Sequence, residues 1–166
     1  MGRKRVFSLK QTKEKPELKE AAEVQELAAR LIDKYHSHLA EARIKYLFRT
    51  GEWLKKGRIV YGKAEKVPAK WNYLTGYDFV ITINQEAWMT GTPEFREALL
   101  DHELEHCCKD EDKQGNPKWY IQPHTVEDFA SIIRRHGLWD DCLKLVNRAR
   151  EEFEQISMLK PSGTDG

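Results

Sequence analysis

His102, Glu103 and His106 stand in the order His-Glu-x-x-His. On a helix, residues four apart lie one turn above each other on the same face. His102 and His106 can therefore direct two imidazoles at one metal ion, with Glu103 beside them. Zinc takes nitrogen, oxygen or sulfur donors in a tetrahedral shell, and a catalytic zinc keeps one position for water. A neighbouring carboxylate can take that water's proton once the metal has brought its ionisation near neutral pH. Two histidines and a glutamate at this spacing form the minimal set for metal-assisted hydrolysis. The competing reading is a solvated helix with histidines at i and i+4 by chance. The apolar pattern speaks against it, because Phe95, Ala98, Leu99, His102 and His106 share one stripe, which places the histidines on the inward face.

Such a site needs a third protein ligand. His124, after a long connector, is the first candidate, and Glu127, one turn on, is the alternative; Asp128 ranks below both. If His124 binds the metal, Glu127 is placed to accept an imidazole N–H; if Glu127 binds it, the histidine takes the outer position. His136 is too far along, and His36 and His38 read as packing or surface residues. Cys107 and Cys108 directly follow His106 and project to other faces, so they read as small buried residues rather than thiolate ligands. Tyr120 is near enough in sequence to be considered for polarising a carbonyl oxygen.

Thr92-Pro93-Glu94 supplies the start of the motif helix: a capping hydroxyl, a proline at the first helical position and an acid near the positive end. The helix is expected to run to about Cys108. Before it, apolar residues from Val24 to Leu39 recur at helical spacing, predicting a helix over about Pro16–Glu41. Three strand-like runs follow, Arg43–Arg49, Arg58–Ala64 and Asp78–Asn84, the last apolar on both faces. Glu65–Gly76 reads as an irregular loop with Trp71 and Tyr73 packed beneath it. Gln85–Gly91 reads as a helical turn carrying Trp88 and Met89. Lys109–Pro123 has loop composition. A helix opens at His124 with Val126, Phe129, Ile132 and Ile133 inward and stops at Gly137. A last helix spans about Leu138–Ser157 with Trp139, Cys142, Leu145, Val146, Ala149, Phe153 and Ile156 inward. The fold class is α+β.

The chain has 166 residues, 33% charged, with a formal net charge of +1. That length fits one domain, residues 17–157, between a basic disordered tail at 1–16 and a second tail at 158–166. Up to Glu20 there are seven Lys/Arg against three Glu, enough for a weak association with nucleic acid, although without an aromatic platform a solvated, disordered end is the simpler account. The balanced charge elsewhere gives no global case for nucleic acid or membranes. No spanning run and no secretory signal is visible, and three cysteines, two of them adjacent, suit a reducing, cytoplasmic setting. Oligomeric state is not legible. The acids around the motif, Asp101, Glu103, Glu105, Asp110, Glu111 and Asp112, favour a basic peptide or a protein bound to nucleic acid as substrate.

The order of helix, three strands and a helix bearing His102–His106 resembles the minimal zincin metallopeptidase core. More narrowly, Ala98–His106, followed by His124–Phe129 and by Arg134–Trp139, is similar to the phage metallopeptidase family over about residues 20–150. The likeness to SprT-like and ImmA-type metallopeptidases is looser. Thr125 stands where that phage family often has Asp, a change that bears on helix capping. The resemblance implies an N-terminal helix, a small, mostly antiparallel three-stranded sheet, the motif helix and two C-terminal helices. It also implies zinc (Zn2+), hydrolysis of peptide bonds in a protein or peptide, and docking of that peptide by strand addition along Asp78–Asn84. Glu103 would deprotonate the attacking water and deliver the proton to the leaving amine, with His102, His106 and His124 (or Glu127) as ligands. Two other classes compete: a zinc-stabilised module with a closed ligand shell, and a nucleic-acid binder acting through its basic tail.

Overall fold

A computed structural model describes residues 15–127, 129–139 and 141–159. Both expected tails fall mainly outside these residues, and so does Asp128. The chain divides into two compact units, Met1–Gln122 and Pro123–Gly166.

In chain order the first unit holds β1 (Leu18–Glu20), α1 (Ala22–Tyr35), a 3-10 turn at Ser37–Leu39, β2 (Ile44–Arg49), β3 (Leu54–Lys55), β4 (Arg58–Ile59) and β5 (Gly62–Lys66). It continues with α2 (Ala69–Thr75), β6 (Phe79–Asn84), α3 (Gln85–Thr90), α4 (Pro93–Glu105), β7 (Cys107–Glu111) and β8 (Pro117–Ile121). The main sheet is four-stranded in the order β1-β2-β6-β5. β2 and β6 pair in parallel, from Ile44↔Phe79 to Arg49↔Asn84, while β1–β2 and β5–β6 are antiparallel. The mixed α+β class and the mostly antiparallel pairing agree with expectation, and β1 adds a fourth strand to the three foreseen.

β6 lies between two strands and carries Phe79, Ile81 and Ile83 fully buried, as a sequence apolar on both faces requires. It is therefore not a docking edge. Its backbone groups are committed to β2 and β5, and the edge of the sheet on the side of α4 is β5. One core joins these strands to Val24, Ala28 and Leu31 of α1, Trp88 of α3, and Leu99, Leu100 and Leu104 of α4.

Several boundaries moved for tertiary reasons. The N-terminal helix begins only at Ala22, because Glu17 is tied to Thr50 by backbone and hydroxyl hydrogen bonds of 2.9 and 3.0 Å, which draws residues 18–20 into the sheet. It ends at Tyr35. The run at 58–64 is broken: Lys56 (φ 50°) and Gly57 (φ 75°) make a tight turn that folds Arg58–Ile59 back on Leu54–Lys55, and only from Gly62 does the chain join the main sheet. Residues 69–75 form α2 rather than loop, stopped by Gly76 in the left-handed conformation. Trp71 and Tyr73 on it are exposed, not packed beneath a loop.

Where a long loop was expected after the motif helix, β7 and β8 form an antiparallel hairpin registered from Cys107↔Ile121 to Glu111↔Pro117. The Asp112 carboxylate accepts from the Gln114 and Asn116 backbone N–H groups at 2.9 Å, closing the turn that the composition mimicked as a loop. Trp119 meets Phe79 edge-to-face at 5.8 Å and seats the hairpin on the core.

In the second unit α5 spans Ala130–His136 and α6 spans Asp141–Leu159. Gly137 ends α5 at φ 67°, as expected, but the helix starts six residues after His124 rather than at it. Of the stripe expected for the first helix, Val126, Ile132 and Ile133 are half-buried and Phe129 is 77% exposed, whereas on α6 the expected Cys142, Leu145, Val146, Phe153 and Ile156, with Trp139 before it, are exposed. Only Leu143 of α6 is buried.

Candidate metal centre

The motif helix is held at its start by the cap foreseen from sequence, with Phe95 N–H donating to Thr92 Oγ1 at 3.2 Å. Arg96 Nε donates to the Trp88 carbonyl at 2.6 Å and anchors the same turn. Further along, Leu99, Leu100, Glu103 and Leu104 face the core, whereas Ala98 and His102 are exposed and His106 is half-buried. The inward stripe expected through His102 is thus rotated. Leucines occupy the core face, Glu103 lies inside with them, and the histidines stand at its margin. That arrangement suits a ligand pair better, since donors in the core would be closed to substrate. The two rings lie 5.1 Å apart, centroid to centroid, and nearly perpendicular.

His106 caps the helix, one residue before β7. Its Nδ1 lies 2.7 Å from the Gln122 carbonyl oxygen. A carbonyl can only accept, so Nδ1 carries the proton, and in the neutral ring Nε2 is left as the lone-pair nitrogen. This is the orientation a metal-binding histidine takes from its outer hydrogen bond. Gln122 returns two bonds to the end of the motif, from its backbone N–H to the His106 carbonyl at 2.9 Å and from Nε2 to the Glu105 carbonyl at 2.6 Å. The hairpin β7–β8, which sequence reading took for loop, is what delivers Gln122 to this place.

Glu103 is only 5% exposed. The backbone of β5 passes directly over it, so that a Cβ added at Gly62 would stand 2.8 Å from Glu103 Oε1. Burial raises the carboxyl pKa above the usual carboxylate range, opposed by the nearby His106 and by a hydrogen bond from the Ala64 backbone. A buried carboxyl with a raised pKa, beside two imidazoles, is the profile of a general base or acid.

A cavity of about 540 Å3 adjoins these groups. Its apolar wall comes from Ile59, Val60, Tyr61, Phe95, Ala98 and Leu99, with Tyr61 and Phe95 edge-to-face at 5.5 Å. Gly62, His102 and Glu103 line it too, together with Lys55 and Arg58 of the β3–β4 hairpin. Neither cation has a pattern of its own in the sequence; the local signal is the pair of glycines, Gly57 before and Gly62 within the strand-like run.

The remaining candidates of the first unit fall elsewhere. His36 is buried and places Nε2 2.6 Å from Asp101 Oδ1, and its Nδ1 is 3.7 Å from Glu105 Oε2. His38 Nε2 lies 2.9 Å from the Cys107 carbonyl oxygen. Cys107 is buried, and that burial, with lesser effects from Cys108 and Glu103, pushes its thiol up to about 12, so it stays protonated, in keeping with a packing role. Tyr120 on β8 pairs across the hairpin with Cys108 and does not line the cavity. In the second unit, Glu127 Oε1 lies 3.6 Å from His124 Nδ1, an ion-pair distance rather than a hydrogen bond.

Among the described residues no helix is long and apolar enough to cross a membrane. No curated protein and no solved structure matches the chain. The family model described as "Putative phage metallopeptidase" matches residues 16–150, most of the chain, and the family name implies a metal ion and action on peptide bonds. On that match, and with an ordered pair of histidines flanking a buried glutamate, the chain belongs to the phage metallopeptidase family.

Proposed function

We propose that this chain hydrolyses peptide bonds in a protein or peptide substrate, using zinc held by His102, His106 and His124. The observation that carries the reading is Glu103, a carboxyl removed from solvent yet lining an open cavity beside the two motif histidines. The donor set fits the metal: three imidazoles are a common catalytic zinc shell, and His106 already has its Nδ1 proton engaged by Gln122. Three imidazoles with one ligand nitrogen each would leave the fourth tetrahedral position to water. Chain continuity supports His124 as the third member. Gln122 is bound to His106, and two further residues span at most about 7 Å. His124 also has Glu127 close to its Nδ1, which suits Glu127 as outer partner rather than ligand.

Zinc in such a shell supplies Lewis acidity, lowering the pKa of water and polarising a carbonyl. Glu103 then takes the proton of the attacking water and passes it to the departing amine nitrogen, so the C–N bond breaks with no net change at the carboxylate. Burial favours the first half of this shuttle, because a carboxylate with a raised pKa is a stronger base towards the water than a solvated one.

Replacement of Glu103 by Gln tests the assignment. Peptide cleavage is expected to fall about 10²–10⁴-fold, the usual contribution of a general base, while zinc content by elemental analysis is retained. Loss of zinc in that variant would make the carboxylate structural, and undiminished cleavage would remove it from the chemistry.

A further inference from the structure

The charge around the motif is arranged differently in space than along the chain. Asp101 and Glu105 turn towards His36, on the side of α4 that meets α1. Asp110 and Glu111 lie in β7, and Asp112 closes the hairpin turn. None of these acids lines the cavity, where Glu103 is the one carboxyl. The charged groups that face the cavity from its outer rim are cations, Lys55 and Arg58, carried on the β3–β4 hairpin with Lys56 at its turn. Among the described residues these three form no ion pair, whereas Lys63 on the adjoining β5 is neutralised by Glu65 at 2.7 Å. The turn is a tight one, with Lys56 and Gly57 both at positive φ, so it holds the cations at a fixed end of the ribbon.

Between this basic rim and Glu103 the wall is apolar and partly aromatic, and a volume of about 540 Å3 accommodates a large side chain with room for its neighbours. From these features we infer that the cavity selects an acidic peptide segment, with a large apolar side chain lodged against Tyr61 and Phe95 and an Asp or Glu side chain nearby meeting Lys55 and Arg58. The inference rests on the peptidase reading of Glu103 and names the substrate class of that site. It replaces the basic peptide that the linear clustering of acids suggested. The apolar wall favours a peptide over a nucleic-acid duplex, whose phosphates would use the cations while its stacked, paired bases leave Ile59, Tyr61 and Phe95 without a partner.

The test uses C-terminally amidated peptides of one length: aromatic with neighbouring Glu, aromatic with neighbouring Lys, and alanine with neighbouring Glu. Binding is read by fluorescence anisotropy on the full-length Glu103→Gln protein, and cleavage by mass spectrometry on the unsubstituted protein. The aromatic–Glu peptide is expected to bind and be cleaved best, and the Lys55→Glu/Arg58→Glu protein to reverse the Glu-over-Lys preference by about tenfold. That double variant should keep its melting temperature, as both residues are exposed. Selective binding without cleavage would support the surface and overturn the peptidase reading. Cleavage with no preference, or a preference untouched by charge reversal, would overturn the inference and leave the peptidase. A duplex DNA oligonucleotide bound through the same two cations in place of the peptides would overturn it as well. Neither binding nor cleavage of any peptide would overturn both.

Discussion

Glu103 concentrates the conflict that makes this site chemically useful. Its carboxyl is buried under the backbone of β5, and burial favours the neutral form. The consequence for stability has a definite sign. The folded-state pKa lies above the unfolded one, so the contribution of the protonated carboxyl is complete at acidic pH and is lost as pH rises through the folded value. The amide of Gln is neutral throughout and can still accept from Ala64. In metal-free protein, Glu103→Gln is therefore expected to melt higher than the unsubstituted chain at neutral pH, with the difference closing as the pH is lowered. Melting curves between about pH 4 and about pH 8 in chelator check this. A difference independent of pH, or of opposite sign, would mean that burial does not control the group.

Elements enter through how α4 is held. The cap at Thr92 sets where it begins, and the Gln122 contacts fix where it ends. Its rotation about its own axis is set from the side, by the leucines against the sheet and by His36, which joins the end of α1 to Asp101. Loss of a buried donor to a carboxylate costs about 1–3 kcal/mol. His36→Ala should lower the unfolding free energy by that amount, measured by urea titration, and Asp101→Asn, which keeps an acceptor, should lose less. A full loss in His36→Ala beside none in Asp101→Asn would show that His36 acts only by filling space, and equal losses would assign the effect to the charge of Asp101 rather than to the hydrogen bond. The signal for this contact was invisible in sequence, because 65 residues separate the partners and a histidine near a helix end has no pattern of its own.

For the whole molecule, the first unit has one core in which the sheet, α1, α3 and α4 share buried residues, so the ligand-bearing helix has no stability separate from the fold. Leu100 is fully buried on the face of α4 turned away from the cavity. Leu100→Ala should cost about 2–5 kcal/mol in chemical denaturation while leaving the site residues in place, so cleavage under native conditions should persist where enough protein remains folded. Selective loss of activity with unchanged stability would contradict that separation.

Local features were legible from the residues alone: the α+β class, the capped motif helix, the apolar strand β6, the stop at Gly137 and the motif histidines with their glutamate. Each depends on a cap, a period or a spacing that a few neighbouring residues specify. Only the tertiary structure decided what depends on partners distant in sequence. It made β5 the edge strand in place of β6, folded the polar stretch after the motif into a hairpin, and set Glu103 inward with His102 at the rim. It also gathered cations rather than acids at the cavity mouth. Periodicity reveals that a helix has an apolar face but not what covers it, as the exposed stripe on α6 illustrates. Nearness in sequence likewise does not say which side of a helix a charge will occupy.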